Sequence, residues 1–415
     1  MRVLIVGSGG REHAIAWKVA QNKNVEKIYC APGNGGMVLE NKCENIVLED
    51  KQELADFAER NKIELTIVGP EGYLTEGIVD EFKKRGLRIF GPSKEASKLE
   101  GSKAYSKAFM KKYGVKTAAY EVFDNRDKAL KYLEKSEYPI VIKADGLAAG
   151  KGVVICEEYN KARLTIDDFM VNDVFKGSGK KVVIEEFLEG PEASILSITD
   201  GNVILPFMSA KDHKQIFDGG KGPNTGGMGA VSPNPYCTPE VLDAFYKDIM
   251  NPTLNGIREE GFDYTGIIFF GIMITKKGPY LLEYNVRFGD PETQAVLPIM
   301  DNDLVDLINA AIDKRLDSFD LKWYSGFSCC VVGASKGYPS KYEIGFDIEG
   351  LKKPNRVFTA GVIYQNGKLK TNGGRVLCTQ ALGKTLDEAI DRAYHDLELV
   401  NFSGMYFRKD IGRYK

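Results

Sequence analysis

Along the first hundred residues, apolar positions come in short β-rich runs separated by stretches with helical spacing. Residues 3–6, 27–30, 65–68 and 88–90 read as strands, and 12–21, 51–61 and 76–85 as the helices between them. Such alternation implies parallel strands joined by crossover helices. It predicts an N-terminal Rossmann-like parallel-sheet domain over residues 1–101, with a lysine-rich helix over 102–113 leading out of it.

The pattern then changes. Residues 119–122, 140–144, 153–156 and 182–186 predict four strands bracketing two helical stretches, an α+β unit with a glycine-rich loop between its second and third strands. This unit, about 119–188, is sized for a small mobile lid. Strands at 193–199, 203–207, 266–275 and 280–285, with a long helix near 240–259, predict a larger sheet, so that 102–325 form one domain carrying the lid. The remainder, 326–415, predicts a small C-terminal α+β domain: a strand at 327–334, a hairpin turning at Asn366-Gly367, and a helix opened by Thr385 and Glu388 at capping-box spacing. The fold class is multidomain, α/β followed by α+β.

At 415 residues, 43% apolar and 27% charged, the composition is that of an ordinary soluble chain. Its 56 basic and 58 acidic side chains leave a net charge of −2, which supplies no field for nucleic acid, so any phosphate must be gripped locally. Seven cysteines lack C-x-x-C spacing, and Cys329-Cys330 sits inside an apolar run that reads as buried strand. A reduced cytoplasmic setting is expected. Met1 runs straight into the first strand without a charged leader, and no run of about 18 apolar residues predicts a membrane span.

The candidate chemistry centres on Glu283-Tyr284-Asn285-Val286-Arg287-Phe288-Gly289-Asp290-Pro291-Glu292-Thr293-Gln294, at the end of an apolar strand. Alternate side chains of an extended chain share a face, so Glu283, Asn285 and Arg287 point the same way. A carboxylate and a carboxamide two residues apart offer hard oxygens to Mg²⁺, which takes one or two protein ligands and fills its octahedron with water and phosphate oxygens. A strand ending in a polar loop carries the same E-x-N-x-R spacing. The longer string narrows the choice: R-F-G-D-P-E-x-Q, Arg287 to Gln294, resembles the motif of the phosphoribosylamine-glycine ligase (glycinamide ribonucleotide synthetase) family, in the ATP-grasp superfamily. The resemblance spans essentially the whole chain, through five separated motifs in consistent order.

Gly7-Ser8-Gly9-Gly10-Arg11-Glu12-His13 follows the first strand and opens a helix, where backbone N–H groups and the helix dipole favour a phosphate. Glu12 replaces the third glycine of a dinucleotide fingerprint, and no acidic residue closes a second strand in the expected place. A turn needed only for packing is the other reading. Lys143 to Gly152 fails as a P-loop, because three residues separate Gly146 from Gly150 and Gly152 stands where Ser or Thr would hold a metal. A strand-loop-strand flap over phosphates suits it better, with Lys143 and Lys151 as point charges.

The family resemblance implies a role for each motif. Gly9 and Gly10 would receive the 5-phosphate of phosphoribosylamine. Lys103, Lys143, Gly150 and Lys151 would hold ATP, with Glu185, Phe187 and Leu188 at the base and Glu192 at the ribose. Asp212 would take the ammonium of glycine, Gly226, Gly227 and Met228 would close round it, and Arg287 and Asp290 would bind substrate. Glu283 and Asn285 would hold Mg²⁺ or Mn²⁺, while Arg287 and Lys143 neutralise charge during transfer. His213 suits a structural hydrogen bond as well as a general base, His13 and His395 carry less weight, and no His or Cys cluster suggests zinc.

The activity so implied is an ATP-dependent carboxylate-amine ligation of glycine and 5-phosphoribosylamine, in the cytoplasm, by a monomer with no nucleic-acid or membrane partner. Expelling oxide from a carboxylate is prohibitive, so its oxygen must first attack the γ-phosphoryl; the amine then displaces phosphate. Positioning and charge neutralisation carry such a transfer. Three other readings stay open: an ATP-grasp ligase with another acceptor, an NAD(P)-dependent oxidoreductase built on Gly7 to Gly10, and a non-catalytic nucleotide sensor.

Overall fold

Val3, Leu4, Ile5 and Val6 are all fully buried, as a strand covered on both faces must be. They form the middle of a five-stranded sheet in the computed structural model, which describes residues 1–148, 152–352 and 354–414. The strands are β1 (Arg2–Gly7), β2 (Lys27–Pro32), β3 (Cys43–Asn45), β4 (Leu65–Val68) and β5 (Ile89–Phe90), in the order β3-β2-β1-β4-β5. All pairings are parallel, as the alternating pattern predicts. The three-residue β3 carries too little apolar signal to be read from sequence. The helix predicted over 76–85 is two, Glu71–Glu76 and Ile78–Lys84, because Gly77 adopts φ +87° and ends the first.

The lid is an antiparallel sheet, Tyr120–Phe123, Val182–Glu186, Ile140–Ala144 and Val153–Cys156 in spatial order. Helices Arg126–Leu133 and Tyr159–Met170 cover it, and it has an apolar cluster of its own. The larger sheet runs Ile204–Pro206, Glu192–Thr199, Gly266–Thr275, Gly278–Asn285. The long helix beside it is interrupted: Pro239–Phe245 passes through a π turn, Tyr246–Met250, into Asn251–Glu259. Pro252 offers no amide there, so the regular ladder loses a donor where the turn widens.

The C-terminal sheet is not built from the last ninety residues alone. Lys211–Asp212 and Gly229–Ser232 form its edge, followed by Phe327–Ser335, Arg375–Gly383 and Val357–Thr359. Between Asp212 and Gly229 the chain folds Gln215–Phe217 against Lys221–Asn224 before entering that edge. Short, polar, glycine-rich strands give no apolar alternation to read. The predicted Asn366-Gly367 hairpin is present, with φ of +53° and +79° at its two turn residues.

One apolar layer runs from Val3, Ile5 and Ile67 of the first sheet through Leu196, Ile198 and Phe288 to the helix Leu304–Ile312. Domains sharing a core are held in register, and this brings the turn after β1, the string 283–294 and the loop 226–229 to one edge.

Candidate active site

Strand Gly278–Asn285 pairs with its neighbour out of step at one point: Leu281 faces Ile272 and Glu283 faces Gly271, leaving Leu282 as a bulge. Leu281 and Tyr284 are therefore both buried, although three residues apart on a strand they would ordinarily lie on opposite faces. Glu283 and Asn285 share a face as predicted, and the bulge makes it the open one.

Burial raises the pKa of Glu283, but Lys214, Lys143, Lys103 and Arg287 more than offset this and hold its carboxyl below the usual range. Lys143 Nζ donates to the carbonyl of the bulged Leu282 at 3.2 Å and makes an ion contact, off the line of a hydrogen bond, with Glu185 Oε1 at 2.9 Å. Lys103 Nζ donates to Gly146 O at 3.3 Å. Asp145 accepts from Ser102 Oγ at 2.9 Å and from the Ala104 amide at 2.7 Å, so the flap is seated on the N-terminus of helix Lys103–Tyr113. An ionised carboxylate and a carboxamide beside three lysines and an arginine fit a divalent ion carrying a polyphosphate. Among the described residues no group of three or more His, Cys, Asp and Glu could hold a metal by itself, so such an ion would take most of its oxygens from elsewhere.

Arg287 is anchored on both sides. Its Nε lies 3.3 Å from Glu71 of the first domain, its Nη2 3.1 Å from Glu100, and Nη2 also donates to Asn285 Oδ1 at 3.1 Å. Burial pushes Glu100 up to about 6 although Arg287 pulls it down, and its Oε2 accepts from the Val286 amide at 2.7 Å. The guanidinium thus orients the Asn285 carboxamide while joining two domains.

A second cluster lies beyond the string. Asp212 Oδ1 is sealed from water without a hydrogen-bond partner, and burial together with Glu292 pushes the carboxyl well above its ordinary range. Gly227, at φ +110°, presses on it: a Cβ there would lie 2.6 Å from that oxygen. Arg375 Nη1 donates to the carbonyls of Gly226 and of Asp290, the latter at 2.9 Å. Burial raises the Asp290 carboxyl, but Arg375 and Arg11 more than offset this and hold it low. Gly9 caps helix α1 (Gly10–Ala20) from the turn after β1, and a Cβ on it would lie 3.2 Å from Asp290 Oδ2.

Family models for the N, ATP-grasp (A) and C domains of phosphoribosylglycinamide synthetase match residues 1–100, 101–293 and 328–414. The chain belongs to the phosphoribosylglycinamide synthetase family. It is 67% identical over 416 residues to the phosphoribosylamine–glycine ligase of Clostridium acetobutylicum, with both chains fully covered. The crystal structure of phosphoribosylamine–glycine ligase from Thermotoga maritima superposes with a TM-score of 0.88 at 36% identity, covering 99% of this chain and 100% of that one. The biotin carboxylase domain of Hydrogenobacter thermophilus 2-oxoglutarate carboxylase, solved with magnesium ADP and bicarbonate, matches with a TM-score of 0.72 at 18% identity over 98% and 91% of the two chains, a likeness of fold alone. The family is one of ATP-grasp ligases of purine biosynthesis.

Within the family frame, the structure gathers Lys103, Lys143, Glu283, Asn285 and Arg287 at one pole and Gly9, Gly10, Asp212, Gly226, Gly227 and Asp290 at the other. Gly150 and Lys151 lie outside the described residues. The buried Glu185 carboxylate is the counter-ion of Lys143 and of Lys107, 3.1 Å away, so only its backbone is left for a base. Burial pushes Lys107 down to about 8. Glu192 sits 2.5 Å from Lys214. Met228 does not join the lining, since its side chain is buried in the C-terminal core and its amide and carbonyl bond to His213 and Val332.

The first turn holds a surprise for the phosphate reading. Glu12 folds back so that its Oε2 accepts the Gly9 amide at 2.6 Å, and a Cβ on Gly7 or Gly69 would collide with it. The niche where a dinucleotide pyrophosphate needs free donors is filled by a carboxylate, which removes the oxidoreductase alternative. His213 is neutral, pushed down to about 4 by burial and by Arg408 and Lys211; its Nε2 accepts from the Gly412 amide at 3.0 Å and its Nδ1 lies 3.2 Å from Gly229 O. It is a structural pin. Sequence reasoning missed Arg375, Lys107, Lys214, Glu71 and Glu100. Of these only Glu71 carried a local signal, an acid opening a helix after Gly69-Pro70.

Proposed function

We propose that this protein ligates glycine to 5-phosphoribosylamine with cleavage of ATP, through a glycyl phosphate, giving glycinamide ribonucleotide, ADP and phosphate. The observation that carries the proposal is the adjacency of two clusters: the ionised Glu283 ringed by lysines, and the Asp212–Gly227 contact one loop away, with Lys214 influencing both carboxylates.

A glycine carboxylate oxygen attacks the γ-phosphorus as the bond to the ADP oxygen breaks. The amine nitrogen of phosphoribosylamine then attacks the acyl carbon, phosphate leaves with the bonding electron pair, and the amine proton passes to phosphate or water. Lys103, Lys143, Lys151 and the Gly150 backbone hold the polyphosphate, Phe187 and Leu188 flank the base with the Glu185 backbone, and Glu192 takes the ribose hydroxyls. Glu283 and Asn285 would hold Mg²⁺, with Mn²⁺ the alternative, which would supply charge neutralisation for the transfer. Arg287 keeps Asn285 in place. Asp212, Gly226 and Gly227 receive glycine, while Gly9, Gly10 and Asp290 wall the sugar-phosphate side. Closure of the lid, about 119–188 within a 102–325 ATP-grasp domain, keeps water from the acyl phosphate. Domains 1–101 and 326–415 supply the walls, and the protein acts as a cytoplasmic monomer.

The test is ADP release with glycine and freshly generated phosphoribosylamine, each omitted in turn. Full release requires both. Release that continued without the amine at the same rate, or an equal rate with another amine acceptor, would reject this assignment.

A further inference from the structure

Arg375 opens the C-terminal strand Arg375–Gly383 and spends one nitrogen on the glycine loop. Nη1 donates to the Gly226, Gly227 and Asp290 carbonyls and lies 3.3 Å from Asp290 Oδ1. Nε and Nη2 have no protein acceptor among the described residues. These two N–H groups form one edge of the guanidinium, the fork that meets a carboxylate with two parallel hydrogen bonds. The side chain is only 21% exposed, so the edge is not a charge dispersed in open water.

The opposite pole stands over the next residue. A Cβ on Gly226 would lie 2.8 Å from the Arg375 guanidinium carbon, and one on Gly227 2.6 Å from Asp212 Oδ1, the sealed oxygen without a donor. Successive Cα atoms are about 3.8 Å apart. A two-donor edge and a lone acceptor, both unpartnered, therefore flank a single dipeptide. A small zwitterion presents the complementary pair, a carboxylate and an ammonium separated by one carbon. A phosphate dianion suits the place less well, because Asp290, Asp212 and Glu292 all surround the guanidinium and would repel it, whereas a zwitterion brings no net charge.

We infer that Arg375 and Asp212 are the two poles of one amino-acid site, Arg375 binding the substrate carboxylate through Nε and Nη2 and Asp212 binding the ammonium. This rests on the ligase reading above and adds to it the residue that fixes the reacting carboxylate, supplied by the C-terminal sheet.

Steady-state kinetics on the full chain test it, with Arg375→Ala and Arg375→Lys beside the native protein and thermal melts as a fold check. Losing a charge-assisted bidentate contact should raise the KM for glycine roughly 100-fold in Arg375→Ala, while the KM values for ATP and phosphoribosylamine stay within about twofold. Arg375→Lys, with a point charge in place of the fork, should fall between. Methylguanidinium should recover part of the Arg375→Ala loss. Glycinamide, which has the ammonium but no carboxylate, should inhibit native and Arg375→Ala protein equally. A selective rise in the KM for phosphoribosylamine would transfer the fork to the sugar phosphate and overturn the inference. So would a joint rise of all three constants with a lowered melting temperature and no guanidinium rescue, since Arg375 would then only stitch the loop. Native protein that fails to release ADP with both substrates overturns the ligase reading as well; native turnover with an unchanged glycine KM in Arg375→Ala sinks this inference alone.

Discussion

Two glycine-rich turns meet at the edge of the string 287–294, and they are opposites. The turn after β1 has the sequence and position of an anion site, yet Glu12 already occupies its interior and Asp290 lies against Gly9. The turn at Gly226-Gly227 has no fingerprint at all, yet it is flanked by Asp212 Oδ1 without a donor and by an Arg375 edge without an acceptor. Glycine licenses a close approach of backbone in both. What approaches the first is Glu12, three residues on, with Asp290 from far along the chain; what flanks the second is Asp212 and the distant Arg375, each with a polar atom still unpartnered among the described residues.

The strongest way to sharpen that contrast is at Glu283, whose field reaches Lys214 beside the second turn. Glu283→Gln removes the ionised oxygen while keeping shape, and kcat should fall on the order of 10³-fold, the scale of losing one preorganised charge at a transferring phosphoryl. The fold should be intact by circular dichroism. Near-native turnover with Mg²⁺-ATP would detach Glu283 from the reacting groups and leave neither turn facing them.

Next comes Gly227→Ala. The φ of +110° strains any L-residue, and the new methyl would meet Pro291 and Asp212 Oδ1. Strain and overpacking together should destabilise by about 3 kcal/mol in urea unfolding, and the KM for glycine should rise in whatever protein folds. A neutral outcome would mean that this turn yields freely and is no fixed wall.

The contrast also marks where sequence reading stops. Parallel strands, the separate sheet within 119–188 and the shared face of Glu283 and Asn285 were legible because each depends on local periodicity or on a run of adjacent residues. The Leu282 bulge was not read, because it arises from pairing with a distant strand, although the isolated Gly271 in that strand lies at the register shift and is the kind of residue that marks one. Arg375 meets Gly226 across 149 residues of sequence, and Lys107 meets Glu185 across 78, so no short window of the sequence contains both partners. Glu12 was noticed only as a missing glycine. That it fills the space itself depends on Gly7, at the end of β1, and Gly69, just past β4, lacking side chains.

A smaller effect distinguishes how the two turns are braced. The first is braced from within by Glu12, the second by His213, which ties Gly229 to Gly412 near the C-terminus. His213 is held at about 4 against an ordinary 6.5. A lowered folded value means the unfolded chain binds more protons between those limits, so the stabilisation is complete above pH 6.5 and is lost as pH falls towards 4. The most it can amount to is about 3 kcal/mol. Urea unfolding of native and His213→Gln protein at pH 7, 5.5 and 4.5 should show the native advantage shrinking steadily with acid. A pH-independent difference would mean that the imidazole is not the brace.

The mildest test falls on the first turn. Gly9 has φ −80° and ψ −179°, a conformation open to any residue, so Gly9→Ala adds no backbone strain. Its methyl would press on Glu12 Oε2 at 2.8 Å and on Asp290 Oδ2 at 3.2 Å, and both carboxylates must give by a few tenths of an ångström. Such a shift should cost about 1 kcal/mol, read as a few-fold rise in the KM for phosphoribosylamine with the KM values for ATP and glycine unchanged. If the ATP constant moved instead, the sugar-phosphate wall would be misplaced. If the glycine constant moved as much as the amine constant, Asp290 would be serving both turns through Arg375, and the two would have to be treated as one site rather than opposites.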